Sequence, residues 1–163
     1  EYGNTKRRGE TALLGLSPES IIVRTGWLYS PHGRNFLKTM LRLGSERSEI
    51  KVVFDQIGTP TYARDLADAI ATMVLTSRWM PGIYHFANEG ACSWYDFAVA
   101  IMEYAGLGCK VTPITSADFP SAVSRPPFSV LDKSRIKTTY GITIPHWQNA
   151  LRRCVQRTIT EAE

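Results

Sequence analysis

Short runs rich in β-branched side chains alternate along this chain with longer stretches whose apolar residues recur at helical spacing. No other feature narrows the possible folds so far. Ile21-Ile22-Val23, Ile50 to Phe54 and Ile83 to Ala87 are the strand-like runs. An unbroken β-branched run such as 21–23 marks a strand buried on both faces. Residues 2–15, with Ala12, Leu13 and Leu14, read as a helix ending near Gly15, and Ser17-Pro18 as a turn. Phe36, Leu37, Met40, Leu41 and Leu43 have helical spacing, as does Thr61 to Thr76, with Leu66, Ala69, Ile70, Met73 and Val74 on one face. Ser93 with Asp96 three residues later predicts a capping box. The helix it opens carries Trp94, Phe97, Ala98, Ile101, Met102 and Ala105 as a core stripe. After Gly106 and Gly108 the chain reads as less regular through Pro113, Pro120, Pro126 and Pro127. A short helix from about Asp132 to Tyr140 stops at Gly141, and Pro145 suits the first turn of a last helix faced by Trp147, Leu151, Cys154 and Val155. Strands alternating with helices predict an α/β protein with mainly parallel pairing.

Composition removes whole classes. With 163 residues, 44% apolar and 21% charged, the chain suits one domain with its own core and is not disordered. No apolar run approaches the ~20 residues of a membrane-spanning helix. Nineteen basic against fifteen acidic residues give 19 − 15 = +4. The basic excess concentrates in residues 119–157, where Arg125, Lys133, Arg135, Lys137, Arg152, Arg153 and Arg157 face one acid, Asp132. A solvated surface is the first reading of that segment and a pocket for a phosphorylated small molecule the second. No zinc-finger spacing or aromatic RNA-binding motif supports a nucleic-acid partner. Cys92, Cys109 and Cys154 are odd in number and widely spaced, as expected of buried thiols in a reducing, cytoplasmic compartment.

The chemistry-bearing signal is Y-G-N-T-K-R-R-G-E, residues 2–10, which places Tyr2 and Lys6 four apart and on one face of a helix. A tyrosine hydroxyl titrates near 10 and exchanges protons poorly at neutral pH. An ammonium beside it favours the phenolate and eases the exchange. Alone, the spacing is a weak signal, since two residues so placed more often form a solvated face than an acid–base pair.

The surrounding segments decide between them. I-V-R-T-G-W-L-Y (22–29), G-R-N-F (33–36), F-D-Q-I-G-T-P-T (54–61), D-L-A-D-A-I (65–70), G-I-Y-H-F-A-N (82–88), S-W-Y-D-F-A (93–98), S-R-P-P-F-S-V-L (124–131) and I-P-H-W-Q-N-A-L (144–151) follow in order. With the opening block, this set resembles the extended short-chain dehydrogenase/reductases, and within them the dTDP-4-dehydrorhamnose reductases. The resemblance covers nearly the whole chain.

It implies the C-terminal part of a Rossmann-like fold, a few parallel strands with packed helices, acting on a dTDP-sugar with NADPH or NADH. Tyr2 matches the proton donor of the family. Lys6 matches the lysine that bonds the nicotinamide ribose and lowers the tyrosine pKa, so both residues also count as cofactor-binding. Trp27 matches a tryptophan that packs near the sugar, and Asn35 and Phe36 fall where relatives line the sugar-nucleotide pocket. Arg125 lies where relatives contact the nucleotide, and a guanidinium fork suits a diphosphate. Gln56 and Thr61 are expected to help shape the site.

Two departures refine the expectation. Relatives that dimerise around Mg²⁺ use acidic residues near the helix after P-T, where this sequence has Arg64. Asp65 and Asp68 remain, read as solvent-facing helix carboxylates, so no metal site is predicted, although a homodimer stays open. No G-x-G-x-x-G turn follows a strand, and the chain opens on Glu1 rather than Met. Residues 1–163 are therefore expected to be the substrate-binding portion, cut just before its catalytic tyrosine, with the cofactor-binding N-terminal half absent and no reductase activity of its own. Another nucleotide-sugar reductase, epimerase or dehydratase remains an alternative. So does a non-catalytic regulatory subunit, like that of methionine adenosyltransferase, which shares the family.

Overall fold

The computed structural model describes residues 2–119 and 125–161, Tyr2 through its helical backbone only. The first elements are α1 (Tyr2–Leu16), β1 (Ile21–Arg24), β2 (Leu28–Tyr29), α2 (Phe36–Glu46), β3 (Glu49–Val53), β4 (Ile57–Gly58) and β5 (Thr61–Tyr62). Next come α3 (Ala63–Leu75), β6 (Gly82–His85), β7 (Cys92–Ser93), α4 (Trp94–Ala105) and β8 (Lys110–Ile114). A 3₁₀ turn over Ser116–Asp118, α5 (Ser134–Tyr140) and α6 (Trp147–Thr160) complete the order.

Three of the four described ladders are parallel: β1 with β6, β2 with β5, and β3 with β8. The fourth, β4 with β7, is antiparallel and sets Gly58 opposite Cys92 and Ile57 opposite Ser93. The expected α/β class with parallel pairing is what forms. β1 is only half-buried, against the expectation of burial on both faces. Among the described residues it pairs with β6 alone, so one of its edges carries no neighbour. β8 falls in the stretch read as irregular. Its Pro113 would interrupt a central strand, but a strand hydrogen-bonded on one edge tolerates it.

Two cores hold the elements. The larger gathers Tyr29, Leu37, Met40, Phe97, Ile101, Trp147, Leu151 and Val155 from β2, α2, α4 and α6. Phe97 is its hub, edge-on to Tyr29 at 5.2 Å and to Trp147 at 6.1 Å and stacked on Phe36 at 5.4 Å. The smaller core joins Ala69, Met73, Tyr84, Phe86, Ile136 and Ile144. Local signals place the helix ends. Ser93 and Asp96 form both halves of the expected box at the head of α4, and Gly141 closes α5 at φ 66°, a left-handed turn glycine adopts without strain.

Helix α3 departs from its expected face. Thr61 and Tyr62 go into β5, Ala69 and Met73 turn inward, and Ile70 and Val74 stay exposed at 41% and 60%. Asp65, expected in solvent, is buried at 6%. It lies where α3 meets α6: Arg153 Nη2 donates to its two carboxylate oxygens at 2.7 and 2.8 Å, and Asn88 Nδ2 donates at 2.7 Å. Asn88 in turn accepts from Tyr62 N at 2.8 Å, so one polar network ties β5, α3, α6 and the loop after β6. Asp68 does face solvent, as expected.

Candidate functional site

The short strands end around a cavity of about 440 Å³. Thr25, Gly26 and Trp27 line it from the loop after β1, Gln56 and Thr59 from either side of β4, and Ala87 from beyond β6. Trp94 at the head of α4 and Arg125, Pro126, Ser129 and Leu131 complete the wall. The last group reaches the cavity because its backbone is laid along β4. Ile57 N donates to Pro127 O at 2.8 Å, and Ser129 N returns a bond to Ile57 O at 2.8 Å. That anchoring brings Arg125, exposed and cationic, to the cavity wall. Trp94 arrives through the capping box, since Ser93 Oγ accepts from Asp96 N at 3.0 Å and fixes where α4 begins.

Trp27 is the one non-glycine residue with positive φ among the described residues, at 49°. For a bulky L-residue that conformation costs about 1–2 kcal/mol. Thr61 holds it there from two sides: its N donates to Trp27 O at 3.0 Å and its Oγ1 to Gly26 O at 2.7 Å. The Trp27 ring then stacks on Trp94, centroids 3.5 Å apart and planes within 8°. Gln56 Nε2 donates to Ser116 Oγ at 2.9 Å. Ser116 also donates from N (2.9 Å) and Oγ (2.7 Å) to Asp55, and these bonds hold that carboxyl below the usual carboxylate range.

The residues singled out from sequence thus divide. Trp27, Gln56 and Arg125 share the cavity, and Thr61 braces its floor. Phe36 packs behind it, 4.6 Å from Trp94. Asn35 caps α2 instead: its Nδ2 donates to Ser30 O and His32 O, and its Oδ1 accepts from Lys38 N at 3.1 Å. Lys6 stands on the exposed surface of α1, while the Tyr2 side chain and Ser124 of the S-R-P-P segment lie outside the described residues. Helix α1 is joined to the end of β1 by Glu10, which receives Arg24 Nε at 2.7 Å and Nη2 at 2.5 Å. The Arg24 hydrogen bonds hold the Glu10 carboxyl below its ordinary value. Trp94, expected in the core stripe, packs against the larger core and also lines the cavity, being the first residue of α4. Gly58, another residue unmarked by spacing, permits the site sterically: a Cβ there would stand 2.5 Å from the Trp27 indole.

The basic segment is mostly engaged in structure. Lys133 and Lys137 bind Glu89, Arg153 binds Asp65 and Arg157 binds Glu161. Arg135 and Arg152 lie over the rings of Tyr84 and Tyr104. Of the seven cations, Arg125 is the one that reaches the cavity wall. Among the described residues no helix is long and apolar enough to cross a membrane.

Comparison with known proteins adds a lineage to this geometry. The family described as RmlD substrate binding domain matches residues 1–160. The spore coat polysaccharide biosynthesis protein SpsK of Bacillus subtilis is 43% identical over 155 residues, 95% of this chain and 53% of SpsK. The dTDP-4-dehydrorhamnose reductase of Aggregatibacter actinomycetemcomitans is 45% identical over 162 residues, 93% of this chain and 55% of the relative. The crystal structure of dTDP-4-dehydrorhamnose reductase from Bacillus anthracis in complex with NADP superposes with a TM-score of 0.90 at 40% identity, covering 96% of this chain and 55% of that one. The ortholog from Clostridium acetobutylicum gives 0.91 at 42% identity, with the same coverage of 96% and 55%. The chain spans about half the length of the curated relatives it matches.

Proposed function

This chain belongs to the RmlD substrate-binding domain family, and we propose that it forms the sugar-nucleotide-binding portion of a cytoplasmic dTDP-4-dehydrorhamnose reductase. That enzyme reduces the C4 ketone of dTDP-4-dehydro-L-rhamnose with NADPH or NADH, yielding dTDP-L-rhamnose for cell-surface polysaccharide. One observation carries the reading. The cavity is walled by the segments through which the sequence resembles these reductases: R-T-G-W, F-D-Q-I-G-T-P-T, S-W-Y-D-F-A and R-P-P-F-S-V-L.

The lining chemistry suits the ligand. The Trp27 indole, backed by Trp94, offers flat apolar surface to the carbon face of a sugar. The Arg125 guanidinium presents parallel donors to a diphosphate at the rim. Gln56 and Thr59 supply amide and hydroxyl groups that fix orientation within a mostly apolar wall.

Helix α1 carries the acid–base pair. Its backbone sets residues 2 and 6 one turn apart, and Lys6 is exposed there to donate to a ribose hydroxyl. That donor set fits the ribose end of a nicotinamide nucleotide, whereas the sequence has no glycine-rich strand-to-helix turn to cradle the diphosphate, which is held elsewhere in the protein. A bound nicotinamide supplies the hydride for C4. The Tyr2 hydroxyl delivers a proton to the C4 oxygen as negative charge develops on it. The Lys6 ammonium stabilises the phenolate that remains until it is reprotonated.

The test is NADPH oxidation with dTDP-4-dehydro-L-rhamnose by the polypeptide that carries this sequence, with product analysis. Turnover to dTDP-L-rhamnose is expected, and Tyr2→Phe lowers kcat by roughly 10²–10⁴ while sugar-nucleotide affinity holds. Cofactor binding without any turnover of that ketone sinks the assignment.

A further inference from the structure

The position of Trp27 is over-determined, and its determinants lie outside the residue itself. Its backbone sits in the left-handed region at φ 49°, pinned by the two Thr61 bonds. Strained backbone of this kind persists only where the surroundings enforce it, and it gathers at ligand sites. Trp94 covers the indole at 3.5 Å. Gly58 meets the same ring at van der Waals range with nothing to spare: a Cβ would stand 2.5 Å from Cε2, 2.6 Å from Cζ2 and 2.7 Å from Nε1. The φ of Gly58 is not in the left-handed region, so space rather than backbone conformation excludes a side chain there. The two walls are coupled. Gly58 lies opposite Cys92 in the β4–β7 ladder, and the next residue of β7, Ser93, caps the helix that Trp94 begins.

We propose that Gly58 and Trp94 are positioning residues for substrate recognition: the β4–β7 ladder builds a slot that holds the Trp27 ring ready for the sugar nucleotide. This rests on the functional reading above and deepens it by assigning substrate affinity to two residues that act through a third. Preorganising the ring removes the ordering cost that a mobile indole would add on binding. Gly58 contributes by having no side chain, and Trp94 by its flat contact. The glycine of the I-G-T-P segment then has a function its spacing does not reveal.

A double-mutant cycle tests the slot in the polypeptide that carries this sequence. Calorimetric titration with dTDP-L-rhamnose measures affinity, and tryptophan fluorescence without ligand reports the stack. Gly58→Ala is expected to weaken binding about tenfold, as the loss of a well-placed aromatic contact does, and to raise indole emission as the stack opens. In a Trp27→Phe background, whose ring lacks the indole atoms that meet Gly58, the same substitution changes affinity less than twofold. Trp94→Phe guards against a folding defect: it keeps an aromatic in place, is expected to leave the melting temperature close to that of wild type, and still weakens binding. Equal losses from Gly58→Ala in both backgrounds, or unchanged affinity in Gly58→Ala and Trp94→Phe, overturn the positioning role while the functional reading stands. A wild-type protein that does not bind dTDP-L-rhamnose overturns that reading and the slot with it.

Discussion

Tyr29 shows how one buried atom bears on stability. The side chain is 2% exposed, its hydroxyl finds no hydrogen-bond partner among the described residues, and burial drives its pKa upward. An unpaired buried hydroxyl is a desolvation loss with nothing to offset it. Tyr29→Phe is therefore expected to leave the protein as stable or up to about 1 kcal/mol more stable, measured by urea denaturation. Asp65 is the opposite case. Its carboxylate is buried, with Arg153 and Asn88 on its oxygens. Asp65→Ala removes one acceptor from the Asn88 amide, which keeps Pro145 O at 3.2 Å, and leaves one side of Arg153 unpaired. Arg153 keeps 47% of its side chain in water, so the expected loss is about 2–3 kcal/mol, below that for a fully buried pair. A substitution costing less than about 0.5 kcal/mol would mean the network is decorative.

Pairs of elements are held by charges whose strength depends on pH. Glu89, in the loop after β6, receives Lys137 of α5 at 2.9 Å and the buried Lys133 before it at 3.2 Å. Burial pushes the Glu89 carboxyl up, but the Lys137 and Lys133 bonds outweigh it and hold the group below its ordinary 4.5. A carboxyl depressed in the folded state stabilises fully above its unfolded pKa, and that contribution is lost as pH falls through the folded value. Wild type is thus expected to exceed Glu89→Gln by about 1–2 kcal/mol at pH 7 in thermal melts, the gap closing as pH falls below the ordinary 4.5 and through the lowered folded value. A gap independent of pH would assign the effect to shape instead of charge. The same scale explains what was legible along α4 and not along α3. The box at Ser93 and Asp96 involves neighbours three residues apart, so spacing reveals it. Which part of the apolar face of α3 is covered depends on α6 and β6, far away in the chain; periodicity puts Ile70 and Val74 on that face but cannot report that they stay exposed.

The whole molecule keeps its thiols out of reach. Cys92, Cys109 and Cys154 are buried and free, matching the sequence expectation. Burial pushes the Cys154 thiol up to about 12 and raises Cys92 as well. The thiolate is the reactive form, so an aromatic disulfide reagent at pH 8 should label native protein negligibly and release three equivalents on unfolding in guanidinium, one per cysteine. Fast labelling of the native state would contradict the packing of α6 against α4. At this scale the candidate site was partly legible. Trp27, Gln56 and Arg125 do converge on one cavity, Asn35 caps a helix instead, and Trp94 and Gly58 join by contacts that no spacing encodes.

The sequence by itself determined the order and type of the main elements other than β8, the ends of α4 and α5, the burial of the cysteines and the placing of residues 2 and 6 one turn apart on a helix. Each follows from interactions within a few residues or from the transfer of apolar side chains out of water, and both are written in local pattern. Only the tertiary structure decided that Asp65 is buried, that β8 accommodates a proline, and that Trp27 takes a left-handed backbone between Gly58 and Trp94. Those outcomes depend on which distant surfaces meet. Solvation, edge pairing and steric room are properties of the assembled neighbourhood and not of the residue that experiences them.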